Sequence, residues 1–357
     1  MKEQLKNTKT TISLPGYLKT AVFIVIVYFG WQLLILGRSI LIPLMTAWLI
    51  AIALYPMQVM FEKKLHIAKG ISAFLCVLII ALFSFLFLFL LAGEVSSFSK
   101  DLSSLNQKFP GASREFQSLF YTNNTQFNVY FSKAINSFVD FSSSLLVNIL
   151  MSFTHALIWI IWVLVFLLFF LSYRKLLYNG LVHVSNLDNR QQVTNSIESI
   201  RRVTKHYVSG ILIEMSIVAT LIGVLLSAFG IQHGLMIALL SAVLNIIPYI
   251  GIYLATLLTV LITYANSNGT AAIVSGIILL SVHLLDANIL IPKVIGSRVK
   301  LNPFATLIAI LTGGILWGIP GMFLFVPLVA IARIALEQIP SCRAIVLLLG
   351  NDESQRH

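Results

Sequence analysis

Charged residues are scarce in this chain: Asp, Glu, Lys and Arg together make up 10% of 357 residues, against 58% hydrophobic. A mean hydropathy of +0.92 excludes a soluble domain, because no compact fold hides that much apolar surface from water. Cysteine is nearly absent as well. The two present, Cys76 in an apolar run and Cys342 near the C-terminus, build neither a disulfide framework nor a metal cluster. No Gly-x-x-x-x-Gly-Lys-Ser/Thr loop occurs, so no ATP motor is built in, and there is no His-Glu-x-x-His zinc pair. The seven histidines are scattered. An aspartyl intramembrane protease would need two membrane aspartates, and the chain has one, Asp286. These gaps argue against an enzyme and against any cofactor.

What the chain has is apolar length and basic loops. A net charge of +11 would suggest nucleic acid in a soluble protein. In a polytopic membrane protein it reads as Lys and Arg gathered in cytoplasmic loops, so the expected partner is the lipid bilayer and no nucleic acid. Apolar runs predict spans at 17–36, 40–60, 71–92, 151–173, 210–229 and 271–291, a transmembrane helix needing roughly 20 apolar residues. The first run follows Lys2, Lys6, Lys9 and Lys19 but lacks a small-residue cleavage site, and reads as a retained span. Only Gly37, Arg38 and Ser39 separate the first two spans, which suggests a tight helical hairpin. Residues 93–150 form a polar, Phe-rich interval expected outside the membrane. Val193, Ile197, Ile200, Val203 and Tyr207 recur at helical spacing among Arg201, Arg202 and Lys205, predicting an interfacial helix on the inner leaflet.

Two further uncharged stretches are each broken at the centre. Residues 231–265 carry Asn245-Ile246-Ile247-Pro248-Tyr249-Ile250-Gly251. Residues 301–332 carry Gly313-Gly314 and Trp317-Gly318-Ile319-Pro320-Gly321. Each is too long for one crossing and short for two plus a turn, so half-length helices that dip in and return are expected. Broken backbone at that depth is tolerated only where it is buried in protein or lines a wet cavity, and such pairs mark transporter binding sites. The positive-inside rule agrees. With re-entrant hairpins, Lys293, Arg298 and Lys300 fall inside, and 19 of the 24 Lys and Arg are cytoplasmic. Span 210–229 with its hairpin and span 271–291 with its hairpin are then upside-down copies in layout, an inverted repeat.

Glu214 and Asp286 are the only acids well inside spans, and no Asp, Glu, Lys or Arg lies from Met215 to Leu285. An acid at mid-bilayer costs about 2.5–3.5 kcal/mol on insertion scales. One reading makes them a proton or cation site, with His283 three residues before Asp286 on the same face. The other has them near the inner interface, paired with Lys or Arg. At the first tip, Pro248 removes a backbone donor and Asn245 offers a donor and an acceptor beside the break. At the second, Gly318 and Gly321 permit close backbone approach, Trp317 supplies a wall, and Gly314 with Gly318 also fits simple helix packing.

The succession His206-Tyr207-Val208-Ser209-Gly210, Leu244 to Gly251, Asn288-Ile289-Leu290-Ile291-Pro292-Lys293-Val294-Ile295-Gly296, Leu301-Asn302-Pro303, Gly313-Gly314, Trp317 to Gly321 and Val326-Pro327-Leu328 resembles the autoinducer-2 exporter (AI-2E) family. It departs from that pattern at Ile252, where members commonly carry proline, and at Pro320, which members often lack. The resemblance implies a bacterial inner-membrane transporter, in some members exporting autoinducer-2 and in others exchanging sodium or lithium for protons.

The expected protein is therefore an all-α polytopic membrane protein of about six full spans plus two re-entrant hairpins, with both termini cytoplasmic. Its expected parts are spans one to three (1–92), the outer segment (93–150), span four with the amphipathic helix (151–209), a transport core (210–337) and a tail (338–357). Its expected function is ion-coupled export of a small polar organic molecule. Asn245, Pro248, Tyr249, Gly251, Asn288, Trp317, Gly318, Pro320 and Gly321 are the candidates for the substrate. Asp286, Glu214 and His283 are those for the coupling ion. A sodium(lithium)/proton antiporter and a non-transporting membrane scaffold are the alternatives, and a homo-oligomer is left open.

Overall fold

The computed structural model describes residues 15–90, 156–184, 190–247, 250–290 and 301–350, with a few single positions between them. The interval 93–150 therefore falls almost wholly outside the described residues, as do Pro248, Tyr249, Arg298, Lys300 and residues 351–357. Among the described residues there is no β-strand, only an isolated bridge between Leu301 and Gly350. The architecture is all-α.

In chain order the helices are α1 (Gly16–Leu36), α2 (Arg38–Lys64), α3 (Lys69–Leu90), α4 (Ala156–Ser172), α5 (Arg174–Val184), α6 (Arg190–Ala228), α7 (Gly234–Leu244), α8 (Ile250–Asn266), α9 (Gly269–Leu285), α10 (Pro303–Leu336) and α11 (Arg343–Leu349). A π-helical turn, Asp286–Leu290, continues α9. α1, α2, α3, α6 and α9 with its π turn are each long and apolar enough to cross a bilayer. α4 is bent by 65° from α5 across Tyr173. The chain is a multi-pass membrane protein.

The junction between α1 and α2 differs from the hairpin expected there. Helical bonding runs on through Gly37, whose N–H donates to Leu33 and whose carbonyl accepts from Ile40 and Leu41. Its φ of −80° and ψ of 0° are near-helical, and a Gly-Arg-Ser link without proline has nothing to break that ladder. Residues 16–29 are exposed on every side. Among the described residues α1 packs through its end, where Trp31 and Ile35 lie against a cluster containing Leu49, Tyr207, Trp317 and Leu324.

The interfacial helix expected before residue 210 is continuous with the span that follows it. No Pro interrupts Arg190 to Ala228, and the result is one helix of 39 residues, roughly 58 Å long at 1.5 Å per residue. Its charged first half therefore extends beyond the hydrocarbon.

Both interrupted stretches fold back on themselves. α7 and α8 are antiparallel arms, and a Cβ added at Gly251 would lie 1.8 Å from the Leu244 carbonyl oxygen. α10 is two helical arms that meet at Gly318, whose φ of 64° and ψ of −145° reverse the chain. That region is open to glycine almost alone. Four hydrophobic groupings among the described residues hold the bundle, one of them joining Val203 of α6 to Ala330 and Ile334 of α10. α6 to α9 share one around Ile222, Leu226, Ile237, Leu258 and Leu279. α2, the first half of α6 and α10 share a second, and α2, α3 and α4 a third.

Candidate functional site

The buried face of α6 runs Tyr207, Gly210, Glu214, Val218, Ile222 and Leu226, the three- and four-residue spacing of a core-facing stripe. Glu214 occupies a position in that stripe where an apolar side chain belongs. α9 does the same: Ala272, Ser275, Leu279 and Val282 are buried, and Asp286 is the next residue of that face. Relative exposures of 5% for Glu214 and 1% for Asp286 put both carboxyl groups inside the protein.

Asn245 joins them. It is the residue that caps the C-terminal end of α7, its N–H donating to the Ser241 carbonyl, where the first hairpin turns. Its side-chain Nδ2 donates to Glu214 Oε1 at 2.6 Å and to Asp286 Oδ2 at 3.0 Å. One amide thus uses both protons on two acids from different helices. The second Asp286 oxygen, Oδ1, is buried without a hydrogen-bond partner. Among the described residues no Lys or Arg forms an ion pair with either acid, so the interfacial pairing considered from sequence is not formed by them.

Two uncompensated buried carboxylates this close repel each other, and burial makes the cost larger than in water. A proton or a small cation is the kind of charge such a pair would accept. The oxygens of Glu214 and Asp286 and the Asn245 carbonyl are hard donors, suited to a proton or an alkali cation rather than to a soft metal. α9 widens into a π turn at Asp286 itself, a local irregularity often found at functional sites.

The other predicted positions divide by location. Gly251 lets α8 press against the end of α7, which sets where Asn245 sits. His283 is partly buried one turn before Asp286, and its Nδ1 has no hydrogen-bond partner. Asn288 is exposed and donates to the Leu284 carbonyl of its own helix. Pro248 and Tyr249 lie outside the described residues. The second tip belongs to a different grouping. Trp317 is buried and donates its indole N–H to the Leu34 carbonyl, 3.0 Å away at the end of α1. Gly318 and Pro320 are exposed, and Gly321 packs on Gly313. The second hairpin packs chiefly against α6, α11 and α2, with a smaller contact to the end of α1.

Sequence reasoning missed two features. Asn302 caps α10 by accepting from the Ala305 N–H, and its Nδ2 donates to the carbonyls of Leu348 and Gly350. Asn followed by Pro at a helix start is a capping signal, but its reach to α11 is not written locally. The second is a group of Tyr55, Arg174 and Arg201, from three separate helices, whose charges read only as topology markers.

Comparison with known families matches residues 18–341 to the family described as AI-2E family transporter. A protein of Borreliella burgdorferi named "Putative transport protein" is 32% identical over 73 residues, 20% of this chain and 20% of its own length. A Mycobacterium tuberculosis protein of the same description is 39% identical over 87 residues, 24% of this chain and 21% of its own. One from Haemophilus influenzae is 35% identical over 74 residues, 21% of each. The aligned part thus spans about a fifth of each of these relatives.

Proposed function

We propose that this chain, which belongs to the AI-2E transporter family, is an ion-coupled secondary transporter of the bacterial inner membrane with Glu214, Asn245 and Asp286 as its coupling site. The observation that carries this reading is the single amide at a hairpin tip, bonded to two buried acids on separate helices. Such a pair holds a proton or cation well while Asn245 spans it. It holds the same charge poorly once the tip moves away and water enters. Occupancy and hairpin position are thereby linked, which is what coupling requires. The cargo in this reading is a small polar organic molecule such as autoinducer-2, exported past the first hairpin, with both termini cytoplasmic.

The same carboxylate pair favours a second reading, in which the cation is itself the cargo and is exchanged for protons. Purified protein in vesicles containing a pH-sensitive dye separates the two. Under the organic-export reading, a sodium or lithium pulse alone moves no protons, and proton flux appears only with the organic solute. Under the antiport reading, the cation pulse alone suffices. In both, Asp286→Asn abolishes the flux; flux that survives this substitution in a folded protein contradicts the coupling site.

A further inference from the structure

A cleft of about 780 Å³, counted to its open mouth, lies far from the carboxylate pair among α2, α4, α5 and α6. Its walls are mostly apolar and include Trp48, Ile52, Leu171, Leu177, Leu181 and Ile197. Its polar groups are Tyr55, Tyr178, Arg174 and Arg201. Both guanidinium groups rest against the Tyr55 ring, Arg201 at 4.1 Å and Arg174 at 5.3 Å from its centroid. The ring face attracts cations, and so two like charges are gathered at one place. Glu62 pairs with Arg174 Nη2, while Nη1 is buried with no hydrogen-bond partner. Glu198, the other described acid of this region, is exposed.

The surroundings have the same sign. Lys63, Lys64, Lys69, Arg174, Lys175, Arg190, Arg201, Arg202 and Lys205 stand at this end of the bundle. Lys175 lies beside Lys69, whose hydrogen bonding and like charge pull its ammonium below the ordinary value. By the positive-inside rule this is the cytoplasmic leaflet, where anionic lipids are found. α5 leaves α4 at 65° and exposes Leu176, Leu177 and Leu181, as an interfacial helix does. Two guanidinium groups, a donor type suited to phosphate, thus line an apolar slot at the end of the bundle that carries the basic residues.

We propose that this cleft binds an anionic phospholipid of the cytoplasmic leaflet, its phosphate on Arg174 and Arg201 and an acyl chain along the apolar wall. A soluble phosphate compound would share the headgroup chemistry, but the apolar wall favours the lipid. Trp48 lines the cleft and reports on it. The test is quenching of the full-length protein's tryptophan fluorescence by brominated phosphatidylglycerol, titrated into phosphatidylcholine vesicles and compared with brominated phosphatidylcholine. Both lipids carry the phosphodiester, but the choline ammonium of phosphatidylcholine is repelled by the two guanidiniums, so phosphatidylglycerol is expected to bind roughly tenfold more tightly. Arg201→Gln should remove that preference and Arg201→Lys should keep most of it, while inorganic phosphate and glycerol phosphate fail to compete. Since Arg174→Gln also breaks the Glu62 pair and endangers folding, the Arg201 variants carry the test. Equal quenching by the two lipids, an unchanged preference in Arg201→Gln, or competition by a soluble phosphate would each overturn the proposal.

Discussion

Gly313 and Gly321 face each other across the second hairpin so closely that a Cβ built on either meets the other's carbonyl oxygen, at 2.2 Å and 2.0 Å. In a continuous helix residues eight apart are about 12 Å apart along the axis, so this contact records the reversal at Gly318. A methyl group fits at neither position without separating the arms. Gly313→Ala and Gly321→Ala should each destabilise the protein by at least about 3 kcal/mol, in the range of severe overpacking. Gly30→Ala in α1, where nothing lies within 4 Å, serves as the neutral control. Thermal unfolding in detergent, followed by tryptophan fluorescence, checks the contrast.

Tyr207 donates its hydroxyl to the Phe323 carbonyl at 3.0 Å. That carbonyl would take its helical bond from residue 327, which is Pro327 and has no N–H. The tyrosine satisfies an acceptor that the proline leaves without a partner. Tyr207→Phe keeps the ring contact with Phe323, 5.6 Å between centroids, and loses only the bond. A loss of about 1–2 kcal/mol is expected, since an acceptor stays buried and unpaired. Replacing Pro327 by Ala in the same chain should recover most of it, because residue 327 then donates. Unfolding free energies of the single and double variants measure this coupling.

Asn302→Ala removes the α10 cap and both bonds to the carbonyls of Leu348 and Gly350. The cap alone is worth about 1 kcal/mol. The C-terminal helix α11 should then become more sensitive to added protease while transport changes little. A cleavage rate equal to that of the parent protein would contradict the tether.

Asn245→Ala leaves Glu214 and Asp286 without their shared donor, and Asn245→Asp sets a third acid between them. Transport should fall at least roughly tenfold in the first variant, the size of a lost charge-assisted bond, and further in the second. Asn245→Gln, which keeps the amide but lengthens its stem, should fall between the parent and Asn245→Ala. Initial rates in vesicles with matched protein content order the series.

Much of this was legible in the residues. Interrupted apolar runs marked both hairpins, and the lone acids Glu214 and Asp286 stood out against 71 uncharged intervening residues. Helical spacing also put His283 on the same face as Asp286. What it could not supply was the partner, because Asn245 is 31 residues from Glu214 and 41 from Asp286, and such pairing depends on how helices cross. The π turn at Asp286 left no sequence signal, since Asp-Ala-Asn-Ile-Leu continues a helix as readily as it widens one. Trp317 read as a cavity wall because an aromatic beside Gly-x-Pro suits either role; its bond to Leu34, 283 residues away, is decided by α1. The continuity of α6 was hidden by a change in composition, from charged to apolar, without a breaker.

The most direct test of the coupling site is the infrared difference spectrum of the purified protein on adding sodium, lithium or the transported solute under a proton gradient. Displacement of a proton from the Glu214–Asp286 pair predicts loss of a protonated-carboxyl stretch. That signal should vanish in both Glu214→Gln and Asp286→Asn while the backbone amide bands stay as in the parent. A carboxyl signal that persists unchanged in both folded variants, or no carboxyl change in the parent while it transports, would contradict the account.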